Sequence, residues 1–169
     1  MPTAELGRLG EIDRSEHLTR LYTYRCGALE ARAVDEAVPT WSGDGEHSVA
    51  GMVRAFQPIL ERGGTLLGAF DGAVLAGLAI FRPRLSADVG NLALLHVSRA
   101  PRRQGIASRL TAEVARLARA DGARRLYVSA TPSDSAIGFY QNLGFEPTNA
   151  PNPELFALEP DDIHMTLEL

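Results

Sequence analysis

Residues 92 to 110 read Leu92-Ala93-Leu94-Leu95-His96-Val97-Ser98-Arg99-Ala100-Pro101-Arg102-Arg103-Gln104-Gly105-Ile106-Ala107-Ser108-Arg109-Leu110, an apolar strand passing through a basic turn into a helix. A helix start leaves its first backbone N–H groups without intrahelical partners and carries partial positive charge, so an anion placed there satisfies both. Gly105 lets the backbone come close to a ligand, and Arg102 and Arg103 supply charge. The pattern predicts a phosphorylated cofactor at residues 102 to 107. Taken alone, the same residues also suit an ordinary tight turn.

The helix itself rests on spacing. Ile106, Leu110, Val114 and Leu117 recur at four, four and three residues, with Arg109, Glu113 and Arg116 between them. That is one apolar stripe with a solvated back. Arg109 with Glu113 and Glu113 with Arg116 stand at pairing distance along a helix, and Gly122 marks its end.

The next segment decides between cofactor and turn. A strand over 124–130 leads to a helix over 133–142, Ser133-Asp134-Ser135-Ala136-Ile137-Gly138-Phe139-Tyr140-Gln141-Asn142, and then to Leu143-Gly144-Phe145-Glu146. Arg102-x-x-Gly105-x-Ala107 after a strand resembles the acyl-CoA pyrophosphate loop of the GNAT superfamily of N-acyltransferases. The run from Phe139-Tyr140 to Gly144-Phe145 resembles that superfamily's second motif. The two motifs cover residues 91 to 147, about a third of the chain, and upstream the likeness is one of architecture alone.

The resemblance implies an α/β (α+β) fold: a mixed, mostly antiparallel sheet, flanked by helices, whose parallel central strands splay apart. Acetyl-CoA would lie in that gap, as the acyl-donor cosubstrate. Its pantetheine arm would run along the backbone of Leu95 and Val97, which also gives the thioester oxygen a backbone donor. Its diphosphate would meet Arg102, Arg103, Gln104, Gly105, Ile106, Ala107 and Ser108. The implied activity is transfer of an acetyl group to a primary amine by direct attack through a tetrahedral intermediate. The acceptor is expected to be a small molecule, with a protein amine or a non-catalytic CoA-binding module as alternatives. Tyr140 falls where many members carry the general acid that protonates the leaving sulfur. A phenol suits that task because its pKa of about 10 lies above that of a thiol. The other reading of Tyr140 is a packing residue that hydrogen-bonds the cofactor, and Phe139 is read as core. Seven residues before the tyrosine, where the family often has Asn, stands Ser133, which could bond the pantetheine or cap the helix.

Composition agrees with one domain over residues 1–169. The chain has 169 residues, 45% of them hydrophobic, enough to bury a core without disulfides. Cys26 is its single cysteine. Residues 1–11 show no signal peptide and the apolar run Leu66 to Phe81 is broken by Asp71-Gly72, so a cytoplasmic protein with no membrane partner is expected. All 17 basic residues are arginine. Eight lie between Arg99 and Arg125 against Glu113 and Asp121, while the whole chain carries −4. That balance disfavours nucleic acid and suits a phosphorylated cofactor. A homodimer fits the family resemblance.

Elsewhere, Leu6 to Ile12 reads as an opening strand and Ser15 as the cap of a short helix over 16–23. Residues 24–42 read either as a small hairpin or as a helix broken at Gly27. A helix runs from Val49 to Leu60, a hairpin joins Thr65–Phe70 to Ala73–Phe81 through Asp71-Gly72, and 82–90 connect it onward. A short strand falls near 144–148, a loop spans 149–162, and Ile163, Met165, Leu167 and Leu169 alternate as a final strand.

No residue is singled out as the base. His96, an imidazole with a pKa of about 6.5 that suits proton transfer, is one candidate. Unless a bulge intervenes, alternation sets it opposite Leu95 and Val97, and it is read as a satisfied core histidine. Glu36, Glu46, His47, Glu159, Asp161, Asp162 and His164 are further candidates. No metal is expected, because the four histidines lack ligand spacing. The acidic residues outside the cofactor half, Glu154 among them, favour a cationic acceptor, and Trp41 could wall it.

Overall fold

The computed structural model describes residues 1–169. The chain opens with a 3-10 helix, Thr3–Glu11, where a strand is predicted. Leu6, Leu9 and Ile12 recur every third residue, so at three residues per turn they stack on one side, and all three are buried. Arg8 bridges Glu5 and Glu11 on the outer side, at 3.4 and 2.7 Å.

The helix predicted over 16–23 is also overturned. It is strand β1, Glu16–Arg25, paired antiparallel with β2, Ala28–Val38. Ser15 caps no helix; its N–H donates to Asp13 Oδ1. Threonines and tyrosines at 19 and 22–24 favour a pleated, half-exposed surface. Of the two readings of residues 24–42, the hairpin forms. Cys26 and Gly27 both take positive φ, 51° and 81°, the geometry of the two-residue turn that matches strand twist.

Helix α1, Val49–Glu61, starts at Ser48, whose hydroxyl accepts the Gly51 N–H. Strands β3, Thr65–Asp71, and β4, Val74–Ser86, form the predicted hairpin, but Asp71 pairs with Val74, so the turn is Gly72-Ala73, one residue later. The predicted connection over 82–90 is mostly strand, because β5 already begins at Val89 and runs to Val97. Then follow α2, Ile106–Ala120, β6, Arg125–Ala130, α3, Asp134–Asn142, and β7, Glu146–Pro147. The segment predicted as loop before β8, Ile163–Glu168, contains a short helix, α4, Pro153–Leu158. Asn152 accepts the N–H groups of Glu154 and Leu155, and Pro153 sits where a helix needs no donor.

Six strands form one sheet in the order β3-β4-β5-β6-β8-β7, and β1-β2 stand apart as a second. Only β5 and β6 run parallel, giving the expected mixed, mostly antiparallel sheet. One sheet face buries Phe81, Leu92, Leu126 and Met165 against Val114 and Ala118 of α2 and Ile137 of α3. The other buries Leu78, Ile80 and Leu94 against Leu6, Leu9 and Leu60. Each such leucine contributes on the order of 1.5–3 kcal/mol. Ile80 pairs with Leu94 but Phe81 with Leu92, so Ala93 is an extra residue in β5. That bulge puts Leu92 and Leu95 on the α2 side while Leu94 stays opposite.

Candidate active site

The site begins where β5 and β6 separate. They pair at three positions only, Val89 with Arg125, Gly90 with Leu126 and Asn91 with Tyr127. At the last of these the buried Asn91 amide donates to the Tyr127 carbonyl at 3.1 Å. Beyond it the strands part, and Leu92–Val97 and Val128–Ala130 line an open cleft of about 2310 Å³.

The α2 start opens onto this cleft. Gly105 is the N-cap at φ 77°, a left-handed conformation that costs a side-chain-bearing residue on the order of 1–2 kcal/mol. Arg103 adopts φ 64° as well. Two left-handed residues so close together fold the loop into a concavity of backbone N–H groups. None of the N–H groups from Arg103 to Ser108 is bonded within the protein, and the cap supplies no side-chain acceptor. These residues fit a diphosphate.

Arg102 is committed within the fold. The Arg102 guanidinium donates to the carbonyls of Val97 and Arg14, both at 3.3 Å, so it ties the loop to the end of β5 and is not a free anion ligand. The Val97 carbonyl accepts that bond, and Leu95 and Val97 both line the cleft. Gln104 uses its carbonyl to accept from Arg109 at 3.0 Å. Arg109 therefore does not pair with Glu113, whereas Arg116 does, at 2.6 Å.

Ser133 is the cap of α3. Its hydroxyl accepts the Ala136 N–H at 3.2 Å, the cap role of the two read for it, and the residue is 2% exposed at the edge of the cleft. The β1 strand braces this end: the Tyr22 N–H donates to Pro132, and the Tyr22 hydroxyl donates to Asp134 at 2.7 Å.

Tyr140 lines the cleft yet is only 7% exposed. Burial, and then the charge of Asp162, push its phenol well above the ordinary value. Phe139, read as core, is half-buried and packs edge-on to Tyr140 with ring centroids 5.1 Å apart.

His96 is not a satisfied core histidine. Its Nε2 is buried without a hydrogen-bond partner, while its ring meets Trp41 edge-on at 5.7 Å. Desolvation, with the nearby charges of Arg14 and Arg102, lowers its pKa to about 4. The ring is neutral near pH 7. Trp41 backs His96 and is no acceptor wall: its Nε1–H donates to the Ile12 carbonyl and Arg14 lies over its ring at 4.7 Å.

Glu159, Asp161 and Asp162 reach the cleft together, on the loop between α4 and β8. Burial and the charges of Glu159 and Asp161 raise Asp162 to about 7. Desolvation raises Glu159 too, against a hydrogen bond from Ser129. Behind the loop stands His164. Its Nε2 is 3.1 Å from the Glu159 carbonyl, an acceptor only, so that nitrogen carries the proton and Nδ1 accepts from Tyr127 at 2.7 Å. The Tyr127 oxygen in turn accepts the Asn152 N–H. His164 is thus a structural residue. Glu46 and His47 line the far end of the cleft, Glu36 is exposed on β2, and Glu154 pairs with Arg82 at 2.9 Å.

Tyr127→Phe is expected to cost about 1–2 kcal/mol, because it leaves the Asn152 N–H without a partner and His164 Nδ1 with only the Ser129 hydroxyl, 3.3 Å away. Hydrogen exchange localised to residues 152–164 checks this; uniform loosening of the sheet instead would contradict it.

A forked sheet beside a helix start rich in free amides is the architecture of an acyl-CoA-dependent N-acyltransferase. The chain belongs to the Acetyltransferase (GNAT) family, whose model matches residues 31–145. No curated protein sequence matches the chain. Among solved structures, nourseothricin acetyltransferase is similar at TM-score 0.73 with 16% identity, over 99% of this chain and 95% of that one. A Bacillus anthracis str. Ames protein assigned as a streptothricin acetyltransferase, in complex with acetyl coenzyme A, gives 0.64 and 15% over 100% and 94%. An aminoglycoside 6'-N-acetyltransferase complexed with coenzyme A gives 0.57 and 17% over 71% and 79%. No helix is long and apolar enough to cross a membrane.

Proposed function

We propose that residues 1–169 act as one cytoplasmic domain that acetylates a primary amine of a small, cationic molecule. The diphosphate of acetyl-CoA is held by the N–H groups of residues 103–108 with Arg103 beside them, and Leu95 offers backbone to the pantetheine arm. The neutral amine attacks the thioester carbonyl, the C–N bond forms, and the C–S bond breaks as the tetrahedral species collapses. Tyr140 donates its proton to the departing sulfur. Its raised pKa keeps the phenol protonated until that moment.

The observation that carries this reading is the row of unbonded amides beside the fork. A small acceptor is favoured by the acidic loop on the cleft. The full-length likeness to two proteins named for nourseothricin and streptothricin points the same way.

A thermal-shift series with acetyl-CoA, dephospho-CoA and ATP, followed by a thiol-release screen of free amines and lysine peptides, tests it. Acetyl-CoA is expected to stabilise the fold most, by RT ln(1 + [L]/Kd). Absence of any shift defeats the reading, binding without turnover leaves a CoA-binding module, and faster turnover of peptides makes the acceptor a protein.

A further inference from the structure

We infer that Asp162 is the base that takes the proton from the incoming ammonium group, with Glu159 and Asp161 drawing cationic acceptors to the same end of the cleft. The inference rests on the acetyltransfer reading above. Its geometry has two parts. Three carboxylates of one loop face the cleft, and Tyr140, 7% exposed and without a hydrogen bond of its own in the protein, faces it from α3. Asp162 and Tyr140 line the same cleft, one from the loop before β8 and the other from α3.

The surroundings of Asp162 are the right kind for a base. Its charged neighbours, Glu159 and Asp161, have the same sign and no arginine offsets them, so the carboxylate titrates near neutral pH and has spare affinity for a proton or an ammonium group. Tyr140 of α3 and Ser129 of β6 line the same cleft, and neutral His164 of β8 holds the Glu159 carbonyl at 3.1 Å. The loop is therefore fixed from behind while its acids stay turned to the cleft.

The protons balance. The acceptor arrives as R-NH3⁺ and gives one proton to Asp162, which passes it to solvent as the net proton of the reaction. The free amine forms the C–N bond and the C–S bond breaks. Tyr140 supplies the proton for sulfur, and the second proton lost from nitrogen restores the phenol.

The experiment compares Asp162→Asn with wild type, using spermidine and streptothricin as acceptors between pH 5 and 9. The acetyl-CoA thermal shift is the control for fold and donor site. D162N is expected to keep that shift and lose about 100-fold or more of kcat/KM at pH 7. Its rate should climb with pH across the whole range as free amine accumulates, whereas the wild type levels off above about pH 7. A second readout needs no turnover. A carboxyl whose folded pKa is raised stabilises the fold below its unfolded value and loses that stabilisation as pH rises through the folded one. The melting advantage of D162N over wild type should therefore grow from pH 4 to pH 8. Rates within threefold of wild type with an unchanged pH profile, or a melting difference constant with pH, overturn the inference and leave acetyltransfer intact. A wild type that binds acetyl-CoA yet acetylates no amine in the screen overturns the acetyltransfer reading, a different result.

Discussion

Tyr140→Phe is expected to fold as stably as the wild type, bind acetyl-CoA equally well, and lose about 10²- to 10³-fold in kcat. The stability half follows from burial. Tyr140 packs edge-on against Phe139 and Phe145, with centroids 5.1 and 5.2 Å away, and a phenylalanine keeps both contacts. No hydrogen bond of the fold is lost, since the Tyr140 hydroxyl, which faces the cleft, makes none within the protein. The kinetic half follows from the leaving group, because a thiolate expelled into a desolvated site needs a positioned proton. Single-turnover measurement of thiol release at saturating acceptor checks it. An unchanged kcat would make Tyr140 a packing residue.

Ser108→Glu separates donor binding from stability in the opposite sense to an ordinary loss of function. Ser108 is exposed at the third helical position of α2, where a glutamate can fold back onto the N–H of the Gly105 cap. Such a capping box, aligned with the helix dipole, should add about 0.5 kcal/mol to the fold. The same carboxylate occupies a donor meant for the diphosphate and repels its charge. The expected result is a melting temperature at or above wild type, with acetyl-CoA affinity lower by about 30-fold, roughly 2 kcal/mol. Calorimetric titration with acetyl-CoA and a thermal melt on one preparation decide it. Undiminished affinity would show that the diphosphate lies elsewhere.

How far the sequence could be read depended on whether a local pattern had one physical solution. The α2 stripe, the β3–β4 hairpin and the alternating β8 strand each had one, and each formed with boundaries close to those expected. Leu6, Leu9 and Ile12 had two, since a spacing of three suits a 3-10 helix as well as an irregular strand, and only burial against α1 and β4 selected the helix. Residues 16–23 had no strong period, and pairing with β2 decided them. In the site, the glycine at the helix start was legible because backbone chemistry is local there. The commitments of Arg102 to Val97 and Arg14 were not, because they join residues 5 and 88 positions apart.

By itself, the sequence determined the helix that opens beside a strand, its positive end, and a tyrosine one motif later. These are set by neighbours in the chain: unfilled N–H groups, a glycine free to take positive φ, and a stripe at helical spacing. Tertiary structure decided which groups share the cleft. It parted β5 from β6 after three pairs, spent Arg102 and Ser133 on the fold, and sealed Nε2 of His96. It also brought Asp162 and Tyr140 to one cleft. Desolvation and charge depend on every element packed around a side chain, and no stretch of sequence carries that sum.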